Sequence, residues 1–132
     1  MFDHLSIGVL DLDQSLKFYD AALKPLGISR MFALAAQGIA AYTDPSKSSF
    51  WLYSKDANQA PLVNLPSPPR FHLAFRAANR AAVDAFYEAA IANGGTDEGA
   101  PGIRASYHPN YYAAYVRDPN GYKIEAVCQD PA

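Results

Sequence analysis

Asp3-His4-Leu5-Ser6-Ile7 returns 68 residues later as Phe71-His72-Leu73-Ala74-Phe75. The same shift lays Phe18-Tyr19-Asp20-Ala21-Ala22-Leu23 on Phe86-Tyr87-Glu88-Ala89-Ala90-Ile91, and Gly27 on Gly95. A later stretch also repeats, Ala40-Ala41-Tyr42-Thr43-Asp44-Pro45 resembling Ala113-Ala114-Tyr115-Val116-Arg117-Asp118-Pro119. Aligned on its prolines at a shift of 74, it sets Trp51 on Glu125. The chain reads as two copies of one unit. His4 and His72 are mates, and Glu125 has Trp51 for its mate. Two imidazoles and a carboxylate from matched positions form a donor set suited to a divalent ion.

Working outward, His4 to Val9 alternates, with Leu5, Ile7 and Val9 on one face and His4, Ser6 and Gly8 on the other. A period of two predicts a strand. Asp11-Leu12-Asp13 then opens a helix whose stripe is Leu12, Leu16, Tyr19 and Leu23, ended by Pro25 and Gly27. Strands are expected near 28–35, 37–43 and 49–54. In the second copy the strand at Phe71 leads to a helix capped by Asn79, with Val83, Phe86, Ala90 and Ile91 inward and Gly94-Gly95 as its stop. A Gly/Pro-rich stretch, Gly99-Ala100-Pro101-Gly102, precedes a strand expected near 103–107. A hairpin of 110–117 with 122–128 follows, turning at Asp118-Pro119-Asn120-Gly121.

The architecture is therefore βαβββ twice: an α+β chain with a cupped mixed sheet and helices on its outer face. Module one covers about 1–55, a proline-rich linker 56–69 and module two 70–129, within a single domain. Parity places His4, His72 and Glu125 on the face turned away from the helices.

Composition narrows the function classes. With 132 residues, 50% hydrophobic and 18% charged, the chain has the balance of one globular domain. A net charge of −2, with no basic stripe, argues against nucleic acid or an anionic membrane surface as partner. No apolar run approaches the roughly 18 residues of a membrane helix. No signal peptide is visible, and the lone Cys128 forms no intrachain disulfide, so a cytoplasmic location is expected.

At these residues the chain resembles the vicinal oxygen chelate superfamily, which includes glyoxalase I, extradiol dioxygenases, fosfomycin-resistance thiol transferases and bleomycin-binding proteins. The resemblance spans nearly the whole chain. Its most specific segment is Tyr115-Val116-Arg117-Asp118-Pro119-Asn120-Gly121-Tyr122-Lys123-Ile124-Glu125. It implies one divalent metal ion (Fe, Mn, Zn, Ni or Co) held by His4, His72 and Glu125. It also implies a small-molecule substrate and a homodimer, in which metal ligands come from one subunit or from two. Glyoxalase I-like enzymes place a fourth, carboxylate ligand where Trp51 stands, so glyoxalase I activity itself is not expected. Extradiol dioxygenases and fosfomycin transferases carry a Tyr ten residues before the Glu, which matches Tyr115 as acid/base or hydrogen-bond donor. Superposing the two Ala-Ala-Tyr stretches puts Tyr42 in the matching place of the first copy.

Plainer readings stand beside these. His4 and His72 have a plainer reading as strand histidines, which their coincidence under the repeat outweighs, and Glu125 has one as the partner of Lys123 or Arg76. Ser106-Tyr107-His108-Pro109-Asn110-Tyr111-Tyr112 reads as a loop at the cup's mouth, with His108 a general acid/base, or as a surface turn. Trp51, Tyr53 and Tyr112 are candidate walls of an aromatic substrate pocket, or core. Arg76 and Arg104 are candidate anion binders, with a solvated surface position the plainer reading of Arg104. Two functions follow: a metal enzyme chelating the vicinal oxygens of a small substrate (lyase, dioxygenase or thiol transferase), and a metal-free binding protein of bleomycin-resistance type.

Overall fold

The alternation around His4 becomes β1 (His4–Gly8) in the computed structural model, which describes residues 1–65 and 71–132. The first module continues with α1 (Leu12–Leu23), β2 (Ser29–Leu34), β3 (Ile39–Thr43) and β4 (Ser49–Tyr53). The second repeats it as β5 (His72–Arg76), α2 (Arg80–Ala92), β6 (Thr96–Ile103), β7 (Tyr112–Arg117) and β8 (Lys123–Cys128). Both helices start on a polar cap: Asp11 accepts from the Gln14 N–H, and Asn79 from the Ala82 N–H. The strands form two mixed four-stranded sheets, ordered β1-β4-β3-β2 and β5-β8-β7-β6, with β1–β4 and β5–β8 parallel. No helix among the described residues is long and apolar enough to cross a membrane.

The strand registers obey the sequence repeat. Trp51 lies across from Ala41, and Glu125 across from Tyr115, so both pairs are offset by 74. His4 pairs with Ser49 and His72 with Lys123, joining the shift of 68 to the shift of 74. This register corrects the match of Tyr42 to Tyr115. Tyr42 lies across from Phe50 as Val116 lies across from Ile124, on the helix side. Its fully buried hydroxyl end donates to Asp20 on α1 (2.9 Å), whereas the mate of Tyr115 is Ala41.

One apolar cluster runs through both modules, with Phe18, Tyr19, Leu23, Val83, Phe86, Val116 and Ile124 all inaccessible. α1 packs on α2, and Gly95 lets them approach: a Cβ there would stand 2.9 Å from Phe18 Cε2. The expected inward stripe of α2 holds for Val83, Phe86 and Ala90, but Ile91 is 39% exposed. One residue past Ala90 is a turn of about 100° around the helix, enough to carry it off the buried stripe.

The β7–β8 turn docks module two onto module one. Asp118, 4% exposed, accepts from the Tyr19 hydroxyl of α1 (2.6 Å) and, within its own turn, from the N–H groups of Asn120 and Tyr122 (2.9 Å each). Asn120 in turn accepts from the Leu10 N–H (2.9 Å) and donates to Ser15 (3.2 Å). Gly121 takes a φ of 92°, which closes the turn.

The segments sketched as loops differ in two places. β6 begins at Thr96 and contains the Gly/Pro stretch, where a loop and a strand near 103–107 were expected. It is an edge strand whose register shifts between Asp97 and Gly99 and again between Gly99 and Gly102. Bulges on an edge tolerate glycine and a Pro101 that donates no hydrogen bond. In the linker, Lys55 bridges to Pro61 and Asp56 accepts from the N–H groups of Asn58 and Ala60. Pro66, Pro68 and Pro69 lie outside the described residues.

Several buried phenols set an alkaline limit on stability. Burial raises the Tyr19 and Tyr42 hydroxyls well above the ordinary value near 10, and the adjacent Asp118 and Asp20 charges add to it. A raised phenol holds its proton more tightly folded than unfolded. Its contribution is therefore complete below about pH 10 and is lost as pH rises toward the folded value. The melting temperature should be level from pH 7 to 9 and fall steeply above 10. Tyr42→Phe should flatten that fall in thermal melts at graded pH.

Candidate functional site

Side chains on the open face of the second sheet follow from register. Across the strands run His72, Lys123, Arg117 and Thr96; then Ala74, Glu125, Tyr115 and Gly99; then Arg76, Val127, Ala113 and Gly102. Glu125 is at the centre of this grid and is only 1% exposed. Burying an unpartnered carboxylate costs several kcal/mol, so its partners matter. They are two. His72 Nε2 stands 3.0 Å from Oε2, and the Tyr111 hydroxyl donates to Oε1 at 2.6 Å. The alternative pairings are not formed: among the described residues Lys123 and Arg76 make no ion pair with Glu125.

Tyr111 is the functional residue that sequence reading missed. It lies one position before β7, on the parity of Ala113 and Tyr115 and hence on the face of Glu125. Counting back by twos from Tyr115 finds it. The same count removes Tyr112 from the cleft: it shares the helix-facing side with Ala114 and Val116, and its hydroxyl donates to Asp84 of α2 at 2.7 Å.

Tyr115 does face the cleft. Its ring lies edge-on to His72 with centroids 6.3 Å apart. Burial, then the Glu125 charge, pushes its hydroxyl up to about 12, and burial, then the hydrogen bond to Glu125, raises Tyr111 further. Both phenols are therefore protonated near neutral pH and act as hydrogen-bond donors. The cleft has a volume of about 980 Å³ and is walled by His72, Tyr107, Tyr111, Tyr115, Lys123 and Glu125 among others.

The other candidates are elsewhere. His4 is exposed on β1 of the first sheet, with Nδ1 2.6 Å from Asp3 Oδ1. It lines a different cavity of about 430 Å³, with Arg76, Asp44, Phe50 and Phe75. His108 is exposed in a turn, where its Nδ1 accepts from the Asn110 N–H at 3.1 Å. It does not reach the Glu125 cleft. Trp51 and Tyr53 stack with rings 16° from parallel, and Phe32 meets Trp51 edge-on at 5.4 Å. They form an aromatic row on the open face of the first sheet, away from His72. Arg104, sketched as a solvated residue, is half-buried in the second cleft.

The model of the Glyoxalase/Bleomycin resistance protein/Dioxygenase superfamily matches residues 1–126. The chain belongs to that superfamily. A glyoxalase/bleomycin resistance protein from Albidiferax ferrireducens T118 is 37% identical, with 96% of this chain and 97% of that one covered and a TM-score of 0.78. A putative glyoxalase from Bacillus halodurans is 28% identical over 96% and 94%, with a TM-score of 0.68. The fold is shared as well by a lactoylglutathione lyase from Agrobacterium tumefaciens, at 21% identity, 96% and 92% coverage and a TM-score of 0.66. No curated protein matches the sequence.

Superfamily membership raises the question of a divalent ion, and the donors present fit one in part. Neighbouring ligands on an ion with bonds of about 2.1 Å lie roughly 3 Å apart, and His72 Nε2 and Glu125 Oε2 are 3.0 Å apart. Tyr111 holds the second carboxylate oxygen, as an outer hydrogen bond commonly fixes a ligating carboxylate. Among the described residues of one chain no third His, Cys, Asp or Glu joins the pair.

Proposed function

We propose that this superfamily member is a divalent-metal-dependent enzyme of the cytoplasm, acting on a small molecule with vicinal oxygens. The observation that carries the reading is the inaccessible Glu125 carboxylate, gripped by Tyr111 on one oxygen and facing His72 with the other. In this reading the protein is a homodimer, and His4 of a second copy completes the set that His72 and Glu125 begin. β1 and β5 are each the free edge of a sheet, which leaves both halves of the donor set open to a partner. When bound, the ion supplies Lewis-acid polarisation of the chelated oxygens. Tyr115, held protonated, donates a hydrogen bond or a proton to a substrate oxygen. Trp51, Tyr53 and Phe32 of the second copy supply an apolar wall. Trp51 offers no carboxylate, so glutathione-hemithioacetal isomerisation is left outside the proposal.

A second reading has its own support. Glu125 already has two hydrogen-bond partners without any ion, which suits a metal-free cup that binds and sequesters an aromatic ligand.

Metal analysis of protein purified without chelator separates the two. One ion per chain is expected, lost in His72→Ala and in His4→Ala. Mixing the two variants in equal amounts should restore about a quarter of a site per chain, since random pairing makes half the dimers mixed and each mixed dimer keeps one intact set. No uptake of Zn, Mn, Fe, Ni or Co by the unaltered protein would end the metal reading in favour of the binder.

A further inference from the structure

The cleft around Glu125 holds two cations that the metal reading does not use, and β6 explains their position. Gly99 and Gly102 face Tyr115 and Ala113 without side chains. A Cβ at Gly99 would stand 3.1 Å from Tyr115 Cδ2 and 3.3 Å from Arg104 Nη2, at a φ of +153° that side chains rarely adopt. Arg104 folds back into the space. Its Nη2 donates to the carbonyls of Ala100 (2.6 Å) and Ala113 (3.3 Å). The guanidinium carbon then lies 5.6 Å from the centre of the Tyr115 ring. Lys123 reaches the same ring from β8, with Nζ at 4.7 Å.

Among the described residues neither cation has a carboxylate within ion-pairing distance. The nearby acids are already engaged: Glu98 with Arg117 at 2.6 Å, and Glu125 with Tyr111 and His72. An aromatic face attracts each cation singly. Both cations line the one cleft, where an anion gains attraction from each. The two carbonyls also fix the guanidinium before any ligand arrives, while Nη1 and Nε make no hydrogen bond among the described residues. Both two-bond edges of a guanidinium include Nη2, which the carbonyls occupy, so Nη1 and Nε each remain for a single charge-assisted hydrogen bond to a carboxylate oxygen.

We propose that Arg104 and Lys123 form a carboxylate-binding subsite beside the His72–Glu125 pair, and that the substrate is an acid whose carboxylate is separate from its vicinal oxygens. The place of the vicinal oxygens rests on the metal reading above; the carboxylate subsite stands on these two cations alone.

Benzoate titrated by calorimetry into the full chain in EDTA tests the subsite without any metal. Saturable binding is expected, weakening with added salt and absent for the neutral isostere benzamide. Arg104→Gln and Lys123→Gln should each weaken it at least about tenfold, with Arg104→Lys in between. Among the described residues the Lys123 ammonium makes no hydrogen bond, so its variant reports on charge even where Arg104→Gln loosens the β6 end. Benzoate bound no better than benzamide, or equally well by both Gln variants, overturns the proposal. Catechol and 3,4-dihydroxybenzoate titrated with Zn²⁺ present then read the metal pair separately. A protein that binds benzoate but takes up no zinc keeps the subsite and loses the metal. With zinc bound, a preference for 3,4-dihydroxybenzoate over catechol that disappears in Lys123→Gln supports both.

Discussion

Asp118→Ala should lower the melting temperature by about 10 °C, from a loss near 3 kcal/mol. One buried carboxylate makes four bonds: from the Tyr19 hydroxyl (2.6 Å), the N–H groups of Asn120 and Tyr122 (2.9 Å each) and the Asn120 side chain (3.1 Å). Alanine leaves the Tyr19 hydroxyl unpaired in an inaccessible position and frees the turn that docks onto α1. A buried donor without an acceptor is the expensive part, about 1–3 kcal/mol alone. Asp118→Asn keeps an oxygen for the turn but sets an NH2 donor against the Tyr19 hydroxyl and the Asn120 amide, both donors themselves, so most of the loss should remain, about 2 kcal/mol. Because Tyr19 and Asp118 belong to different modules, Tyr19→Phe combined with Asp118→Ala should cost less than the two single losses added together. Thermal melts of the four proteins decide this; additivity would mean that the carboxylate serves only its own turn.

The repeat made the fold legible because each signal was local. Strand parity, the Asp11 and Asn79 caps and the Gly121 turn each involve neighbours within a few residues. The offset of 74 also relates the cross-strand pairs of one module to those of the other. β6 failed for a physical reason: Gly99, Pro101 and Gly102 have loop composition, and only pairing with β7 along an edge makes them a strand. Ile91 failed by one position on a helix wheel, where a single residue is enough to leave the core. At the site, His72 and Glu125 were legible from parity, since β5 and β8 are parallel neighbours. Tyr111 was not chosen, although the same parity marks it, because it sits within a segment crowded with tyrosines. Arg104 was a candidate anion binder by residue type, but its burial in the cleft had no sequence signal. Its burial depends on two glycines across a bulge, and no periodicity carries that information.

Glu125→Gln should abolish metal binding while leaving stability nearly intact, and that separation is the stronger test of the site. The amide has the volume of the carboxylate, and its oxygen can still accept from Tyr111, which donates at 2.6 Å. Folding therefore loses the charge-assisted part of one hydrogen bond, about 1 kcal/mol. A neutral amide is a far weaker ligand for a divalent ion than a carboxylate, so affinity should fall by a hundredfold or more, on the order of the larger losses seen when ligation is disturbed. Glu125→Ala should fail on both counts, because it leaves Tyr111 without its acceptor and opens a void beneath His72. A structural carboxylate shares the stability difference between Gln and Ala, but metal content would follow neither. Zinc titration beside thermal melts of the two variants distinguishes the patterns. If Glu125→Gln retained one ion per chain, the carboxylate would be a clamp for Tyr111 and His72, and the cup would be a binding site whose chemistry comes from its phenols and cations.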